Sequence, residues 1–313
     1  MKFGLTKIFH RTITKKRLKK LFTAPQLLFP FLKRKLLGLF YFFKYWLLRV
    51  KTTDNKLTKT IQGSQMSLNL NDNGIQKDLA LKDIREPTTT KAYQRELRKL
   101  KKDNGKIIMC DIGANVGYWS LMTLNILEDS GFVIAIEPEK NNVETLRNNI
   151  SLNNYADQTQ IYEYAVSNSA GKSKMYSSTH SNLHTLQTES AKENLHNDMF
   201  TVTIKPLSEI IRAENLQPNE VDVIRLDVQG HEAKIFQGME EIITNNSRLL
   251  INLETHLGYM SKKEVNYLVD LLEASNFEII SSVDPLIERK LGFKNIEDIR
   301  QQSAELILRR RQN

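Results

Sequence analysis

Ile107-Ile-Met-Cys-Asp-Ile-Gly-Ala-Asn-Val-Gly117 decides the fold: an unbroken apolar run meets an acidic residue and then a turn built from glycine and asparagine. The run predicts a buried strand, the turn a tight bend, and the residues beyond Gly117 a helix. Gly113 permits close approach of a ligand to the backbone. Asn115 is among the few non-glycine residues that tolerate positive φ, and Gly117 lets the helix start close to the strand.

Twenty residues beyond Gly117 stands Glu137, followed by Pro138, at the end of a second apolar run. An acid there can accept both hydroxyls of a ribose. Loop and acid together predict a nucleoside site of the kind that S-adenosylmethionine needs, with Asp111 facing the methionine ammonium. The spacing is not the G-x-G-x-x-G of a dinucleotide fold, and no phosphate-cradling G-x-x-x-x-G-K-[ST] loop is present. A glycine turn can also merely link a strand to a helix, and Glu137 is what favours the ligand.

From Lys106 onward strands and helices alternate. Strands are predicted at 106–111, 132–137, 160–166, 221–227 and 248–254, and helices at 117–128, 139–151, 231–244 and 261–275, with 167–220 irregular. Val143, Leu146 and Ile150 share one helical face, and Ser261-Lys-Lys-Glu264 forms a capping box. Alternation specifies an α/β fold with a mainly parallel sheet. Two last strands, near 277–283 and 304–309, form an antiparallel hairpin at its edge.

Charge is divided along the chain. Thirteen Lys and Arg in residues 1–50 meet no Asp or Glu, whereas residues 51–313 carry 32 basic and 36 acidic side chains, so the net +9 is +13 in front and −4 behind. The front segment is a basic, amphipathic, hydrophobic unit with no span of ~20 apolar residues to cross a bilayer. Its aromatics and Lys/Arg fit an anionic membrane surface, which implies a cytoplasmic, membrane-facing location; packing on the catalytic domain is the alternative. Residues 51–62 read as a linker and 63–105 as a cap on the catalytic domain of 106–313, with a strand at 65–70 and a charged helix at 91–103. The single cysteine, Cys110, excludes an intramolecular disulfide and reads as core.

Five motifs carry a family resemblance: Asp111-Ile-Gly-Ala-Asn-Val-Gly-Tyr118, Ala135-Ile-Glu-Pro138, Asn148-Asn-Ile-Ser-Leu-Asn153, Ala165-Val-Ser-Asn168, and Asp222-Val-Ile-Arg-Leu-Asp-Val-Gln-Gly-His-Glu232 with Gly238. In this order they resemble the FkbM-type methyltransferases. The resemblance implies a class I, Rossmann-like methyltransferase sheet and S-adenosylmethionine as cofactor. It places Asp111, Gly113, Asn115 and Gly117 around the methionine moiety, Glu137 on the ribose, and Ala165 and Val166 near adenine. It also implies O-methylation of hydroxyls on sugars, glycans, glycolipids or other metabolites. The family commonly has Lys where this chain has Arg225 and Glu where it has Gln229, so no metal is assigned.

Asp227, at the end of the fourth strand, is the candidate for orienting the acceptor or bearing on the sulfonium. His256 is the candidate base, with Glu254 fixing its tautomer. His231 reads as a backbone or cap contact and His184 as a substrate or solvent residue. The other histidines, His180 and His196 among them, match no metal-site spacing. A protein or nucleic-acid methyltransferase is the alternative, disfavoured because the body is not basic and the fourth strand lacks an Asp/Asn-Pro-Pro-aromatic tetrad; a non-catalytic nucleotide-binding protein is the third reading.

Overall fold

The computed structural model describes residues 28–103, 105–176, 186, 198–282 and 303–311. The chain divides into two compact units, residues 1–56 and 57–313.

In the first unit, helix α1 (Leu28–Lys51) carries Leu36, Phe40, Phe43, Leu47 and Val50, all exposed, at successive spacings of four and three. That spacing keeps them on one stripe. No described helix is long and apolar enough to cross a membrane.

The second unit opens with strands β1 (Lys56–Ile61) and β2 (Ser64–Asn69), which pair as a small sheet. Residues 56–61 are thus a strand where a linker was expected. Helix α2 (Ile75–Lys82) follows, unanticipated, and then α3 (Pro87–Asp103), which starts four residues before its expected place because Pro87 suits a first helical turn. Next come β3 (Ile107–Ile112), α4 (Tyr118–Leu127), β4 (Gly131–Ile136), α5 (Lys140–Leu152) and β5 (Thr159–Tyr162).

Strand β6 (Ala165–Val166) ends the predicted strand 160–166, and the segment expected to be irregular contains β7 (Gly171–Tyr176), β8 (Met199–Lys205) and helix α6 (Leu207–Ala213). Strands β6, β7 and β8 form a separate sheet ordered β6-β8-β7. The predicted strand 160–166 therefore splits between two sheets. Beyond lie β9 (Val223–Asp227), α7 (Glu232–Gly238), α8 (Glu240–Asn245), β10 (Leu250–His256), α9 (Lys262–Ala274), β11 (Phe277–Ser282) and β12 (Ser303–Arg310). The predicted helix 231–244 is two helices, α7 and α8, and α9 begins with the expected capping box at Ser261 and Glu264.

The seven-stranded sheet runs β11-β12-β10-β9-β3-β4-β5. Strands β10, β9, β3, β4 and β5 are parallel, and β12 is antiparallel to both β10 and β11. The mainly parallel sheet with its C-terminal antiparallel hairpin is as expected, with β12 between β10 and β11 and β11 at the edge. Ile108, Cys110 and Ile112 face a core shared with α7, α8 and α9. On the other face of the same strands the register sets Asp111 beside Arg225, Arg225 beside Asn252, and Asp227 beside Glu254. Polar groups are thereby aligned across three strands.

Two resemblance motifs have structural reasons. Asn149 donates to the Val116 carbonyl (2.9 Å) and accepts from the Ser67 amide (2.8 Å), while Asn153 brackets Gln65 from α5, so the small sheet is tied to the glycine turn. Gly238 lies where a Cβ would collide with the Ser167 carbonyl oxygen, and Asn168 donates to Gln237 at 2.9 Å. Crowding a backbone in this way costs about 1–3 kcal/mol. Gly238→Ala should therefore lower the urea midpoint without changing the slope, and an unaltered midpoint would show that α7 does not depend on this approach.

Candidate active site

The turn after β3 adopts the conformations its sequence demands, with φ of +80° at Gly113, +51° at Asn115 and +92° at Gly117. Gly113 and Ala114 both donate to the Ile136 carbonyl (2.9 and 3.1 Å), which binds the turn to the end of β4. A Cβ at Gly113 would strike the Asp227 carbonyl, so β3 and β9 end in direct contact. The Asn115 amide donates to Glu137 Oε2 at 2.9 Å, joining the two predicted halves of the nucleoside site.

A cavity of about 770 Å³, including its mouth, opens over these carboxyl ends. Its wall includes Gly113, Asn115 and Glu137, together with Ala165, Val166, Tyr164 and Met175 on the apolar side. Further round are Tyr118, Trp119, Asp227, His231 and Arg85. Volume and lining suit a small molecule that is part planar ring and part polar.

Glu137 is 4% exposed, and its Oε1 accepts from the Glu139 amide (3.0 Å) and Asn142 Nδ2 (3.2 Å). Burial pushes its carboxyl up to about 7 despite these donors. With the Asn115 amide, three donors fix the carboxylate in orientation and leave about one of its four lone-pair sites, on Oε2, for a hydroxyl. Residues present at the cavity therefore fit a nucleoside.

Asp111 and Gly117 do not line the cavity. Asp111 is wholly buried beneath the turn and accepts from Ser120 Oγ at 2.5 Å, and burial raises its carboxyl to about 6. Its position on β3, opposite in facing to Ile112, sets it beside Arg225 in the sheet. Gly117 caps α4 against Leu146.

A cluster of charges closes the other side. Arg225, 1% exposed, places Nη2 at 3.4 Å from Glu254, 3.5 Å from Asp227 and 3.9 Å from Glu86, with its guanidinium 5.0 Å from the Trp119 ring centre. Arg85 Nη2 stands 3.3 Å from Asp227 Oδ2 and 3.4 Å from Glu254 Oε2, and its Nε pairs with Glu86. Burial alone would raise the Asp227 carboxyl, but Arg225 and Arg85 outweigh it and hold that group below its ordinary value. Glu254, its neighbour in the sheet, is pushed up by burial and by Asp227.

His256 does not rest on Glu254 as expected. Its Nδ1 meets Glu232 Oε1 at 3.0 Å, whereas Glu254 Oε1 stands 3.5 Å from Nε2. Burial opposes charge on the ring, but Glu232, Asp227 and Glu254 raise it to about 9, so it is an imidazolium at neutral pH. Neither Glu254 nor His256 lines the cavity; Asp227 does. The Asp227, Glu254 and His256 ligand atoms lie within 4.8 Å of one another, the spacing of a possible cation site, with Arg85 and Arg225 already supplying positive charge to the same carboxylates.

His231 precedes α7 with Nε2 3.0 Å from Ser167 Oγ, and burial lowers it to about 4. His180, His184 and His196 lie outside the described residues. Arg85 and Glu232 were not foreseen as site residues. Their signals were an Arg-Glu pair abutting the Pro87 break and an acid three places beyond the left-handed Gln229 (φ +56°). Nuclear magnetic resonance titration should find His231 neutral down to about pH 4 and His256 protonated to about pH 9; His256 titrating near 6.5 would refute the Glu232 contact.

The family described as "Methyltransferase FkbM domain" matches residues 111–293. No curated protein sequence matches the chain. Among solved structures, an FkbM methyltransferase from Methylobacillus flagellatus is similar at 16% identity, over 63% of this chain and 46% of that one, with a TM-score of 0.37. M. jannaschii TYW2 in complex with AdoMet matches at 12% identity over 82% and 85% of the two chains (TM-score 0.40). The M. jannaschii tRNA m1G37 methyltransferase matches at 12% over 84% and 56% (TM-score 0.41). Likenesses at this level neither select nor exclude a nucleic-acid acceptor. The family match spans more than half of the sequence, so this chain belongs to the FkbM methyltransferase family and is an S-adenosylmethionine-dependent methyltransferase.

Proposed function

We propose that this enzyme methylates a hydroxyl group of a sugar, glycan, glycolipid or other small metabolite, and that the cavity over β3, β4 and β9 is its S-adenosylmethionine site. One observation carries the reading: Asp227 is the ionised carboxylate on the cavity wall, two strands from the ribose-binding candidate Glu137. Glu137 holds the ribose, Ala165 and Val166 the adenine, and Gly113 and Asn115 border the methionine arm.

Bound S-adenosylmethionine supplies an electrophilic methyl group. Asp227 would orient the acceptor hydroxyl and take its proton when the hydroxyl oxygen accepts the methyl group. Gln229, which donates to Asp227 Oδ1 at 3.0 Å, steadies that carboxylate. His256 and Glu254 stand behind it, while Arg225 and Arg85 keep it ionised. Asp227→Asn should lower kcat by about 10²–10⁴-fold with little change in cofactor affinity; an unchanged kcat would remove Asp227 from the chemistry.

A carboxylate accepts hydroxyls better than a carboxylic acid, so ionisation of Glu137 favours the cofactor. Cofactor affinity should accordingly rise from pH 6 to 8 as Glu137 loses its proton near 7, and Glu137→Gln should weaken binding and flatten the profile. A wild-type profile that stays flat would separate Glu137 from the ribose.

A second reading, favoured by the exposed stripe on α1 and the wholly basic charge of residues 1–50, adds an anionic membrane surface as partner. A lipid-linked sugar is then the acceptor. Full-length protein should float with anionic vesicles while a 51–313 truncation does not, and equal flotation would refute the membrane reading. Labelled methyl groups should enter a lipid or glycan extract; label confined to RNA or protein would overturn the hydroxyl assignment.

A further inference from the structure

The charged lining of the cavity is uneven. Among its described lining residues Glu137 and Asp227 are acidic, His231 is neutral, and Arg85 is the one side chain that carries a positive charge at neutral pH. Arg85 lies outside the 111–293 family match, in the short segment between α2 and α3.

Its placement is built rather than incidental. The Arg85 amide donates to the Tyr118 hydroxyl at 3.2 Å, and its carbonyl accepts from Thr90 Oγ1 at 2.7 Å. Thr90 Oγ1 and the Tyr118 hydroxyl are themselves 3.2 Å apart. Tyr118 starts α4 straight after the glycine turn, so the turn that holds a ligand also fixes Arg85. Nε is committed to Glu86 and Nη2 to Asp227 and Glu254. Among the described residues, Nη1 has no hydrogen-bond partner.

Sheet order gives the direction. Glu137 follows β4 and Asp227 ends β9, with β3 between them, so the two carboxylates stand roughly 10 Å apart at the usual strand spacing. Arg85 lies against Asp227, on the side away from Glu137. A ligand held by its ribose at Glu137 and running over Gly113 brings its amino-acid end to this guanidinium. That end is a zwitterion, whose anionic half needs a cation once water is excluded.

We infer that Arg85 binds the α-carboxylate of the cofactor's methionine arm, so that residues 57–105 complete the cofactor site. This rests on the cavity being the S-adenosylmethionine site. The role is one of binding and is separable from the chemistry.

Calorimetry with two ligands tests it: S-adenosylhomocysteine, which has the amino-acid end, and 5′-methylthioadenosine, which keeps the nucleoside and thioether but lacks it. Arg85→Ala should weaken S-adenosylhomocysteine binding about 10- to 100-fold, the range for a hydrogen bond to a charged group. Binding of 5′-methylthioadenosine should change less than about twofold. Arg85→Lys, which keeps a charge for Glu86, Asp227 and Glu254, should show the same selectivity to a smaller degree, and it decides the matter if Arg85→Ala does not fold. Equal weakening of both ligands, or of neither, would overturn the assignment. Glu137→Ala should weaken both ligands alike, and if it affects neither, the cofactor-site reading itself fails.

Discussion

Arg225 must find negative charge without the help of water, and much of the molecule is arranged around that requirement. A guanidinium at 1% exposure is tolerable only with close, well-placed anions, because removing an ion from water costs several kcal/mol. Parallel register supplies Asp227 on its own strand and Glu254 on the next, and Trp119 covers its face. Glu86 comes from outside the sheet, on the segment between α2 and α3. Arg85 comes with it and balances the surplus of carboxylates. Residues 57–105 are therefore held by electrostatics as well as by the Asn149 and Asn153 contacts, and cannot be shed without stranding charge.

The same cluster divides labour among the acids. Four carboxylates, Glu86, Asp227, Glu232 and Glu254, meet two arginines and His256, yet they differ in what surrounds them. Asp227 lies between both guanidinia and stays ionised, whereas Glu254, facing it across the strand gap, is pushed toward its neutral form. Glu232 holds His256 as an imidazolium away from the cavity. Ionisation is thus set by which neighbour the register provides, and the group left facing the ligand is the one that remains charged.

The glycine turn was legible in sequence because its conformation is local: Gly113, Asn115 and Gly117 each declare positive φ by residue type, and Glu137 sits at a fixed remove. Strand and helix identity around it followed from apolar period. The charge cluster was not legible, because its members come from four separated segments that only strand register brings together. Polar residues alternating with apolar ones in Ile224-Arg-Leu-Asp227 and Ile251-Asn-Leu-Glu-Thr-His256 were the visible trace, since the central strands of a sheet covered on both faces are ordinarily apolar throughout. The small sheet of β6, β7 and β8 escaped for a different reason: β7 is largely exposed and mixes Lys, Ser and Gly, so no alternating pattern marked it.

Strand β12 lies between β10 and β11 although it is the last strand in sequence. During synthesis β10 and β11 are made well before the strand that separates them, and until residues 303–310 emerge each presents an open row of amides and carbonyls. Such edges pair with whatever strand is at hand. The sheet can be completed only once residues 303–310 have been made, so in the interval after β11 premature β10–β11 pairing competes with the native order.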